Sequence, residues 1–375
     1  MIYFDHAATT PVTVEVEDTI IYYLDYFGNP SSHYKIGFEA KELIEHARTE
    51  VANSINCDPK EIYFTSGGTE GDNWAIRSIR RPGMTRNRPI ISSIEHHAVE
   101  YAASRLGEYK YLTVEPDGVL SPEHFAEVVE KANLAEYGLA SIMMVNNEIG
   151  TIFPIKKLAE VAHEAGLWFH TDAVQAVGHI GLDVKELGVD MLTVSGHKFG
   201  CPKGIGFNYI RHGAPVREFI LGGAQENNMR AGTENLPYIM AVAQAFETAN
   251  KCTHTEQVKR VRDGLWEAIK KEMPKVRLNG SAEHRIDSNL NICIPGVDAQ
   301  QLVAMMDSLH DIYISTGSAC NSGNAEPSHV LKAIGLSDED ANASIRITLG
   351  PENTKEECDT FVRCLKYDVA MLMEE

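Results

Sequence analysis

The chain has 375 residues, and its 34 basic and 53 acidic side chains give a formal charge of −19. Hydrophobic residues make up 43% and charged residues 23%, as in ordinary globular proteins, which excludes a wholly disordered chain. A surface this acidic repels phosphate backbones and anionic lipids, so neither nucleic acid nor a membrane is expected as a direct partner. The length exceeds that of a typical single domain and predicts two domains or one large α/β unit.

The start of the chain and its cysteines predict a reducing, cytoplasmic setting. MIYFDHAATT has neither the basic segment nor the apolar segment of a signal peptide, and no apolar run reaches the roughly 18 residues that cross a bilayer. The seven cysteines are odd in number, irregularly spaced and without a CxxC pair. This pattern argues against a disulfide framework and a zinc knuckle, and no metal is expected.

Strands and helices alternate along the first 250 residues. Apolar residues at helical spacing predict a helix over 36–55, which Asp58-Pro59 ends. A strand over 61–66 follows, and the run 139–145 is nearly continuous in apolar residues, as in a strand buried on both faces. The other predicted elements here are helices that begin at Ser66-Gly67-Gly68-Thr69 and at Ser121-Pro122, helices over 155–165 and 236–250, and strands over 167–172 and 191–195.

A polar stretch, 251–256, is predicted to connect this part of the chain to a smaller domain. Repeated β–α units with buried strands imply a mostly parallel sheet covered by helices on both faces. We therefore expect an α/β large domain over 15–255 and a smaller α+β domain formed by 1–14 and 256–375. The elements predicted after the polar stretch are helices over 256–273, 298–309, 327–334 and 354–373, and strands over 290–294 and 345–349.

The strongest chemical signal is Ser195-Gly196-His197-Lys198, which directly follows the strand 191–195. Desolvation at the end of a buried strand lowers the pKa of a lysine and favours formation of a Schiff base. The alternative interpretation is that Lys198 is an ordinary lysine in a surface turn. Asp172 ends another strand, and ligands collect at the carboxyl ends of parallel strands. A buried carboxylate there could keep a pyridine nitrogen protonated; a helix N-cap is its structural alternative.

A possible phosphate site precedes these residues in the chain. Ser66-Gly67-Gly68-Thr69 lies between a strand and a helix, where amide N–H groups and the positive helix end attract an anion. A well-capped helix explains this motif alone equally well. The chain has neither GxGxxG nor GxxxxGK[ST], so dinucleotide and P-loop sites lack their signatures. The lysine, the aspartate and the phosphate cradle together favour pyridoxal 5'-phosphate (PLP) as cofactor.

Three further features carry chemistry, each with an open alternative. The loop 315–324 holds Cys320 among small residues, and its thiol could be a nucleophile or lie under its own turn. Arg346 lies on one face of a short strand, where it could clamp a carboxylate or form a structural ion pair. His96, followed by His97, could stack on an aromatic cofactor or shuttle protons, although a surface turn histidine is more common.

These residues lie in motifs that cover nearly the whole chain. The motifs are, in order, YFDHAATTPV, FGNPSS, FTSGGTEGDNWAI, IEHHAVE, VNNEIGTIFPI, HTDAVQAVG, SGHKFGCPKGIG, MRAGTENLP, STGSAC and EPSHVLKAIG. On them the sequence resembles the cysteine desulfurases of the NifS/IscS type, within the class V aminotransferases of PLP fold type I. The SGHK lysine together with the SAC cysteine separates this type from ordinary transaminases. The resemblance implies a homodimer that converts L-cysteine to L-alanine and passes the sulfur to an acceptor protein.

The resemblance also implies a role for each matching residue. Lys198 would bind PLP covalently, His96 would stack on the ring and handle protons, and Cys320 would accept sulfur as a persulfide. Asn29, Asn147 and Arg346 would bind the substrate carboxylate. The residues that would hold the cofactor are Asp172 and Gln175 at the ring, and Gly68, Thr69, Ser195, His197 and, from the neighbouring subunit, Thr233 at the phosphate.

Some positions depart from the family pattern. Tyr34 stands where a histidine is common, Cys201 replaces a glycine, and Gln225-Glu226-Asn227-Asn228-Met229-Arg230 lacks an arginine and a glycine. The last change concerns partner docking more than PLP chemistry. A selenocysteine lyase or another class V lyase is a second hypothesis, and a catalytically idle PLP-binding scaffold or sulfur relay is a third. The acceptor stays open among an iron–sulfur scaffold, a tRNA thiolation enzyme, a thiamin pathway partner and DNA sulfur modification.

Overall fold

The computed structural model describes residues 1–78, 88–316 and 327–374. Its strands are β1 (Ile2–Tyr3), β2 (Ile62–Thr65), β3 (Arg88–Ser92), β4 (Lys110–Leu112), β5 (Tyr137–Ser141), β6 (Trp168–Asp172), β7 (Met191–Ser195), β8 (Gly206–Ile210), β9 (Arg277–Leu278), β10 (Asn289–Cys293), β11 (Ile312–Tyr313) and β12 (Ser344–Thr348). Its helices are α1 (Val14–Tyr23), α2 (Lys35–Ser54), α3 (Gly68–Ser78), α4 (His97–Ser104), α5 (Pro122–Glu130), α6 (Ile155–Glu164), α7 (Val184–Leu187), α8 (Leu236–Ala249), α9 (Thr255–Glu272), α10 (Ala299–His310), α11 (His329–Ala333), α12 (Asp338–Asn342) and α13 (Lys355–Glu374). Within the described ranges, no helix is long and apolar enough to cross a membrane.

A seven-stranded sheet forms the centre of the molecule, with strand order β2-β8-β7-β6-β5-β3-β4. The five strands from β7 to β4 run parallel to one another, whereas β8 is antiparallel to both β7 and β2. Every residue of β7 and β8 is buried, as expected for strands covered on both faces. The mostly parallel sheet and the mixed α/β class predicted from the sequence are confirmed.

The two largest hydrophobic clusters of the described residues separate most of the chain into two parts. The first packs the central sheet against helices α1, α2 and α5 to α8 and includes residues from Val16 to Phe246. The second joins Phe4 to residues between Val258 and Val369, around the antiparallel sheet β12-β10-β9. Strand β1 pairs with β11, which brings the start of the chain to the second part. Val330 and Leu331 of α11 nevertheless pack in the first cluster, and the exact domain division stays a prediction.

Most predicted elements agree with the structure to within two residues, but one strand is shorter than its apolar run. Strand β5 ends at Ser141, although the predicted strand reached residue 145. The N–H groups of Ile142 and Met144 still donate to the carbonyls of His170 and Asp172, at 3.0 and 2.8 Å. The run therefore follows β6 beyond the regular ladder, toward the end of the strand that carries Asp172.

Several elements were not predicted from the sequence. They include β3, β4, β8, α1 and α4, and the short elements β1, β9, β11, α7 and α12. Strand β4 has three residues, of which Leu112 alone is buried, so it shows no usable alternation. Helix α1 buries only Val16, and its β-branched residues weaken a helical signal. In these elements the tertiary packing, and not the local pattern, selects the structure.

Candidate active site

The ends of two adjacent strands bring the predicted lysine and aspartate to one edge of the sheet. Strands β6 and β7 are parallel neighbours, and Asp172 lies opposite Thr193 in their register. Strand β7 ends at Ser195, and a single 3-10 turn, Gly196–Lys198, follows it. Parallel sheets bind ligands at this edge, because the loops that leave the strands diverge there.

The Lys198 amine is held by the backbone of the N-terminal segment. Its Nζ donates hydrogen bonds to the carbonyls of Ala7 and Ala8, at 2.6 and 2.9 Å. Asp172 is 5% exposed, and its Oδ1 accepts the N–H of Val174 at 2.8 Å. Burial raises the pKa of Asp172 to about 6, against the opposing effects of that hydrogen bond and of the Lys198 charge. The amine and the carboxyl therefore lie close enough to influence each other.

Residues 7–10 form a wall of the site that the sequence analysis did not predict. The side chain of Gln175 donates to the carbonyl of Ala7 at 3.0 Å, so Gln175 and Lys198 share one acceptor. Thr10 donates its N–H to the carbonyl of His197 at 2.9 Å and accepts the N–H of Gly200 at 2.7 Å through its hydroxyl. These bonds join residues between 168 and 191 positions apart, so no local pattern in DHAATT indicated them.

His96 caps helix α4 and is neutral. Its Nδ1 accepts the N–H of Ala98 at 3.1 Å, which assigns the proton to Nε2. Burial, with smaller contributions from Lys198, His97 and His329, lowers the pKa of His96 to about 4. A neutral ring beside the lysine can stack on an aromatic cofactor without repelling a protonated pyridine nitrogen.

The turn before α3 has the shape of an anion cradle. Gly67 has a φ of +140°, and a Cβ on it would lie 3.3 Å from the Ser195 hydroxyl. A Cβ on Gly68 would lie 2.9 Å from the Val174 side chain. The missing side chains leave the backbone open at the start of an eleven-residue helix, where the N–H groups point outward. Thr69 is exposed at the same turn.

His197 borders the site from the lysine turn. Its Nδ1 lies 3.2 Å from the Thr9 hydroxyl. Burial lowers the pKa of His197 to about 4, with Lys198 and Lys203 adding to the effect. The structure thus brings together Lys198, His197, Ser195 and the N-terminal wall, as a phosphate-binding cofactor site requires.

A buried polar group lies beneath the site and was also not predicted. Glu95 accepts the N–H of Met143 at 2.9 Å and a hydrogen bond from the Ser92 hydroxyl, and burial raises its pKa to about 8. His170 lies between the hydroxyls of Ser141 and Thr193, at 2.8 and 3.0 Å, and burial lowers its pKa to about 3. Glu95 precedes His96 directly, so its hydrogen bonds help to position the turn that carries His96.

Asp72 belongs to the same buried group. One of its carboxyl oxygens lies 3.8 Å from Nε2 of His170, and that oxygen accepts no hydrogen bond within the described residues. Burial raises the pKa of Asp72 well above its ordinary value, and Asp172 and Glu95 add to the rise. With three carboxyls in one buried region, Asp172 is the one that Lys198 stabilises in its charged form.

Arg346 is buried between the two parts of the chain. Its guanidinium donates to Asp5 Oδ1 at 2.8 Å and to the carbonyl of Asn147 at 3.0 Å, while its Nε has no partner in the described structure. All five residues of β12 are buried, so the face with Arg346 is covered as well as the apolar face. The predicted carboxylate ligands Arg346 and Asn147 therefore meet, with Asp5 as a third member.

The remaining predicted residues are more dispersed. Asn29 is exposed, and its side chain accepts the N–H of Ser31 at 2.9 Å; its hydrogen bonds do not reach Lys198 or Arg346 in the part of the chain that is described. Thr233 is exposed. Cys320 lies outside the described residues, so its position relative to the site is not assigned.

Comparisons with known proteins agree along nearly the whole chain. Residues 2–361 match the aminotransferase class-V family. A cysteine desulfurase IscS from Methanosarcina thermophila is 44% identical over 366 residues, which are 96% of this chain and 89% of that protein. The structure of a NifS-like protein from Rickettsia africae is 32% identical, with a TM-score of 0.87 over 98% of this chain and 99% of that one. A structure of SspA in complex with cysteine is 33% identical, with a TM-score of 0.82 over 94% and 100% of the two chains.

The chain therefore belongs to the aminotransferase class-V family, whose members use PLP. Within the family it is of the NifS/IscS type, the group of the cysteine desulfurases, and the resemblance read from the motifs is confirmed. The residues present fit PLP. The open glycine turn beside Ser195 suits its phosphate, and buried Asp172 suits its ring nitrogen.

Proposed function

We propose that this chain is a PLP-dependent cysteine desulfurase in which Lys198, Asp172 and His96 form the cofactor centre and Cys320 accepts the sulfur. The proposal rests above all on the Lys198 amine, which lies beside buried Asp172 and neutral His96 at the ligand-binding edge of the sheet. Gly68, Thr69, Ser195 and His197 would hold the phosphate, Gln175 would face the ring hydroxyl, and Asn29 would complete the substrate site.

When bound, PLP supplies an electron sink for the negative charge that develops at the substrate Cα. Asp172 would keep the ring nitrogen protonated, because the two opposite charges stabilise each other in a buried setting. Lys198 Nζ would take the Cα proton, and the carbonyls of Ala7 and Ala8 would orient the amine for that transfer. His96 would cover one face of the ring and exclude water from it.

Arg346 and Asn147 would hold the substrate carboxylate. The unpartnered Nε of Arg346 offers one donor to an incoming carboxylate. A second donor becomes available if the substrate displaces Asp5, which now accepts from the guanidinium at 2.8 Å. Asp5 would thus keep the buried guanidinium paired while the site holds no substrate.

The choice of Cys320 as sulfur acceptor is supported by the other cysteines. The six described cysteines are free, and burial raises the pKa of each thiol more than any other effect does. The pKa reaches about 12 for Cys57, Cys201 and Cys358. Such thiols stay protonated near neutral pH and are poor nucleophiles. Cys320 is the cysteine that remains, and it occupies the SAC motif of the family type.

The sulfur step proposed for Cys320 balances without an external oxidant. The Cys320 thiolate attacks the substrate Sγ, a Cys320–sulfur bond forms and the substrate Cβ–Sγ bond breaks. The electron pair of the broken bond stays with the carbon, which then takes up a proton and leaves as L-alanine. The cysteine persulfide is the product on the protein, and a thiol of an acceptor protein would take its outer sulfur.

A homodimer belongs to the same proposal. Large apolar side chains are exposed around the end of α1 and the start of α2, including Ile21 (66%), Phe27 (83%) and Phe38 (51%). Apolar side chains gathered in this way favour a protein partner, and exposed Thr233 would reach the phosphate of the neighbouring subunit.

Sedimentation should give twice the 41.5 kDa mass of one chain, and Phe27→Asp should shift the measured mass toward that of the monomer. A monomeric holoenzyme would contradict the dimer. The acceptor protein and a cytoplasmic setting are further parts of the proposal.

The deciding experiment measures L-alanine released from L-cysteine in the presence of PLP and dithiothreitol. The wild type should release alanine, Cys320→Ala should not, and the matched variant Cys364→Ala should behave as wild type, because Cys364 lies half-buried on α13. Both variants should keep the yellow colour of bound PLP. Alanine release by Cys320→Ala at the wild-type rate would refute the role of Cys320, whereas no release by any of the three would refute the proposed function.

A further inference from the structure

Three side chains that commonly bind metals meet at the start of helix α4, directly after His96. His97 and Glu100 lie in the first turn of α4, and His329 begins α11. One ligand atom from each lies within 4.8 Å of the others, and all three residues are half-buried. We propose that His97, Glu100 and His329 form a binding site for a divalent transition-metal ion of the zinc class.

The spacing on α4 already places two of the ligands correctly. Residues three apart on a helix share a face, and Nδ1 of His97 lies 3.1 Å from a Glu100 carboxylate oxygen. Zinc takes imidazole nitrogen at about 2.0–2.1 Å and carboxylate oxygen at about 2.0–2.2 Å, so two ligands of one tetrahedral ion lie about 3.4 Å apart. The ligand atoms of His97 and Glu100 are within that separation. The His329 nitrogen lies at most 4.8 Å from each of them, so it needs to move closer by no more than about 1.4 Å.

The neighbours of these side chains orient them as metal sites require. The Nε2 of His329 lies 3.0 Å from the carbonyl of Glu95. A hydrogen bond to a carbonyl assigns the proton to Nε2 and leaves the Nδ1 lone pair for a metal, the usual arrangement of a ligating histidine. The Glu100 carboxylate accepts a hydrogen bond from the Tyr111 hydroxyl at 2.5 Å. The His97 ring stacks on Tyr101, with centroids 4.8 Å apart and planes within 9°.

The donor set selects the class of ion. Two imidazoles and one carboxylate suit Zn²⁺, Co²⁺ or Ni²⁺, whereas Mg²⁺ and Ca²⁺ prefer oxygen ligands. Three protein ligands also leave one position for water or a thiol. An ion here would tie α4 to α11 and restrain the turn that carries His96.

The test is a Zn²⁺ titration of the PLP-loaded enzyme in thiol-free buffer, in competition with a chromogenic chelator. The Cys320→Ala background removes the thiol proposed as sulfur acceptor, which could also bind Zn²⁺. This protein should bind one equivalent of Zn²⁺, and Glu100→Gln and His329→Asn should each weaken binding at least tenfold. His212→Ala, which removes an exposed histidine elsewhere, should leave the affinity unchanged. Co²⁺ in place of Zn²⁺ should give the visible absorption of a tetrahedral site, and both ligand variants should lose it.

Retention of the PLP absorbance and of the circular dichroism spectrum shows whether each variant is folded. If a ligand variant fails to fold, Tyr111→Phe provides a second test, because it keeps all three ligands and removes only the hydroxyl that orients Glu100. It should weaken Zn²⁺ binding about tenfold, the lower end of the effect of such outer partners. Undetectable binding at millimolar Zn²⁺, or equal affinity in the parent and the ligand variants, would overturn the site.

Discussion

A buried ion pair between Arg48 of helix α2 and Glu226 allows a quantitative prediction about the stability of the protein. Arg48 donates to both carboxylate oxygens of Glu226, at 2.7 and 2.9 Å, and the two side chains are 4% and 2% exposed. Glu226 also accepts the N–H of Phe64 in β2 at 2.9 Å. Replacing Arg48 with methionine keeps most of the side-chain volume but removes the positive charge that pairs with buried Glu226.

The expected cost follows from that unpaired charge. Breaking a buried pair by removing one partner costs about 3–5 kcal/mol. Unfolding entropy of about 2.1 cal/mol/K per residue gives about 0.8 kcal/mol/K for 375 residues. We therefore expect Arg48→Met to lower the unfolding midpoint of the holoenzyme by about 4–6 °C.

Calorimetry of the holoenzyme measures this shift, and two controls isolate its cause. Lys251→Met removes a cation from an exposed pair with Glu247 and should change the stability by less than about 0.5 kcal/mol. The double variant Arg48→Met with Glu226→Gln removes the buried charge and should recover part of the lost stability. A midpoint shift of Arg48→Met no larger than that of Lys251→Met would refute the reasoning. A double variant less stable than Arg48→Met would also contradict it.

Three further predictions concern the site itself. Asp172→Asn should keep PLP but lower kcat/KM for L-cysteine by about 10²-fold or more, because an amide cannot hold the ring nitrogen protonated; a loss below tenfold in the alanine assay would contradict this role. Glu95 should contribute a fall in stability as pH rises from about 5 to 8, because its pKa is raised to about 8 and the folded state keeps a proton that the unfolded chain releases. Glu95→Gln should remove up to about 1.4 kcal/mol per pH unit of this slope, and parallel unfolding profiles of the two proteins would argue against it. Lys198→Ala should bind PLP without the absorbance band of lysine-bound cofactor, and that band in the purified variant would exclude Lys198 as the attachment point.

The structure explains one departure from the family motif. Asn227 and Asn228, which stand in the stretch that lacks an arginine and a glycine, have φ values of 56° and 65°. Asparagine tolerates this left-handed region better than most residues, so it can replace a glycine there. Arg230 remains bound to Glu70 at 2.9 Å, and Glu70 accepts the N–H of Ser66 at the phosphate turn. The altered stretch therefore keeps its connection to the cofactor site.

The sequence by itself predicted the lysine–aspartate pair of the candidate site and four of the seven strands of the central sheet. Lys198 and Asp172 follow strands whose apolar runs are evident locally, and parallel strands end at one edge, so their proximity followed from secondary structure alone. Buried strands and amphipathic helices show their periodicity within a few turns. The short edge strand β4 and the weakly amphipathic helix α1 lack such a signal, and the sequence did not predict them.

The tertiary structure alone decided which distant groups serve these residues. The carbonyls of Ala7 and Ala8 reach Lys198, Asp5 pairs with Arg346, and His329 joins His97 and Glu100. The sequence analysis expected no metal because the cysteines lack the spacing of a zinc-binding motif. Two histidines and a glutamate from separate helices form no motif along the chain, so a site of this kind has no sequence signal. Hydrophobic periodicity records which face of an element is buried but not which element covers it. Contacts between residues hundreds of positions apart therefore become visible only when the two parts of the chain have packed together.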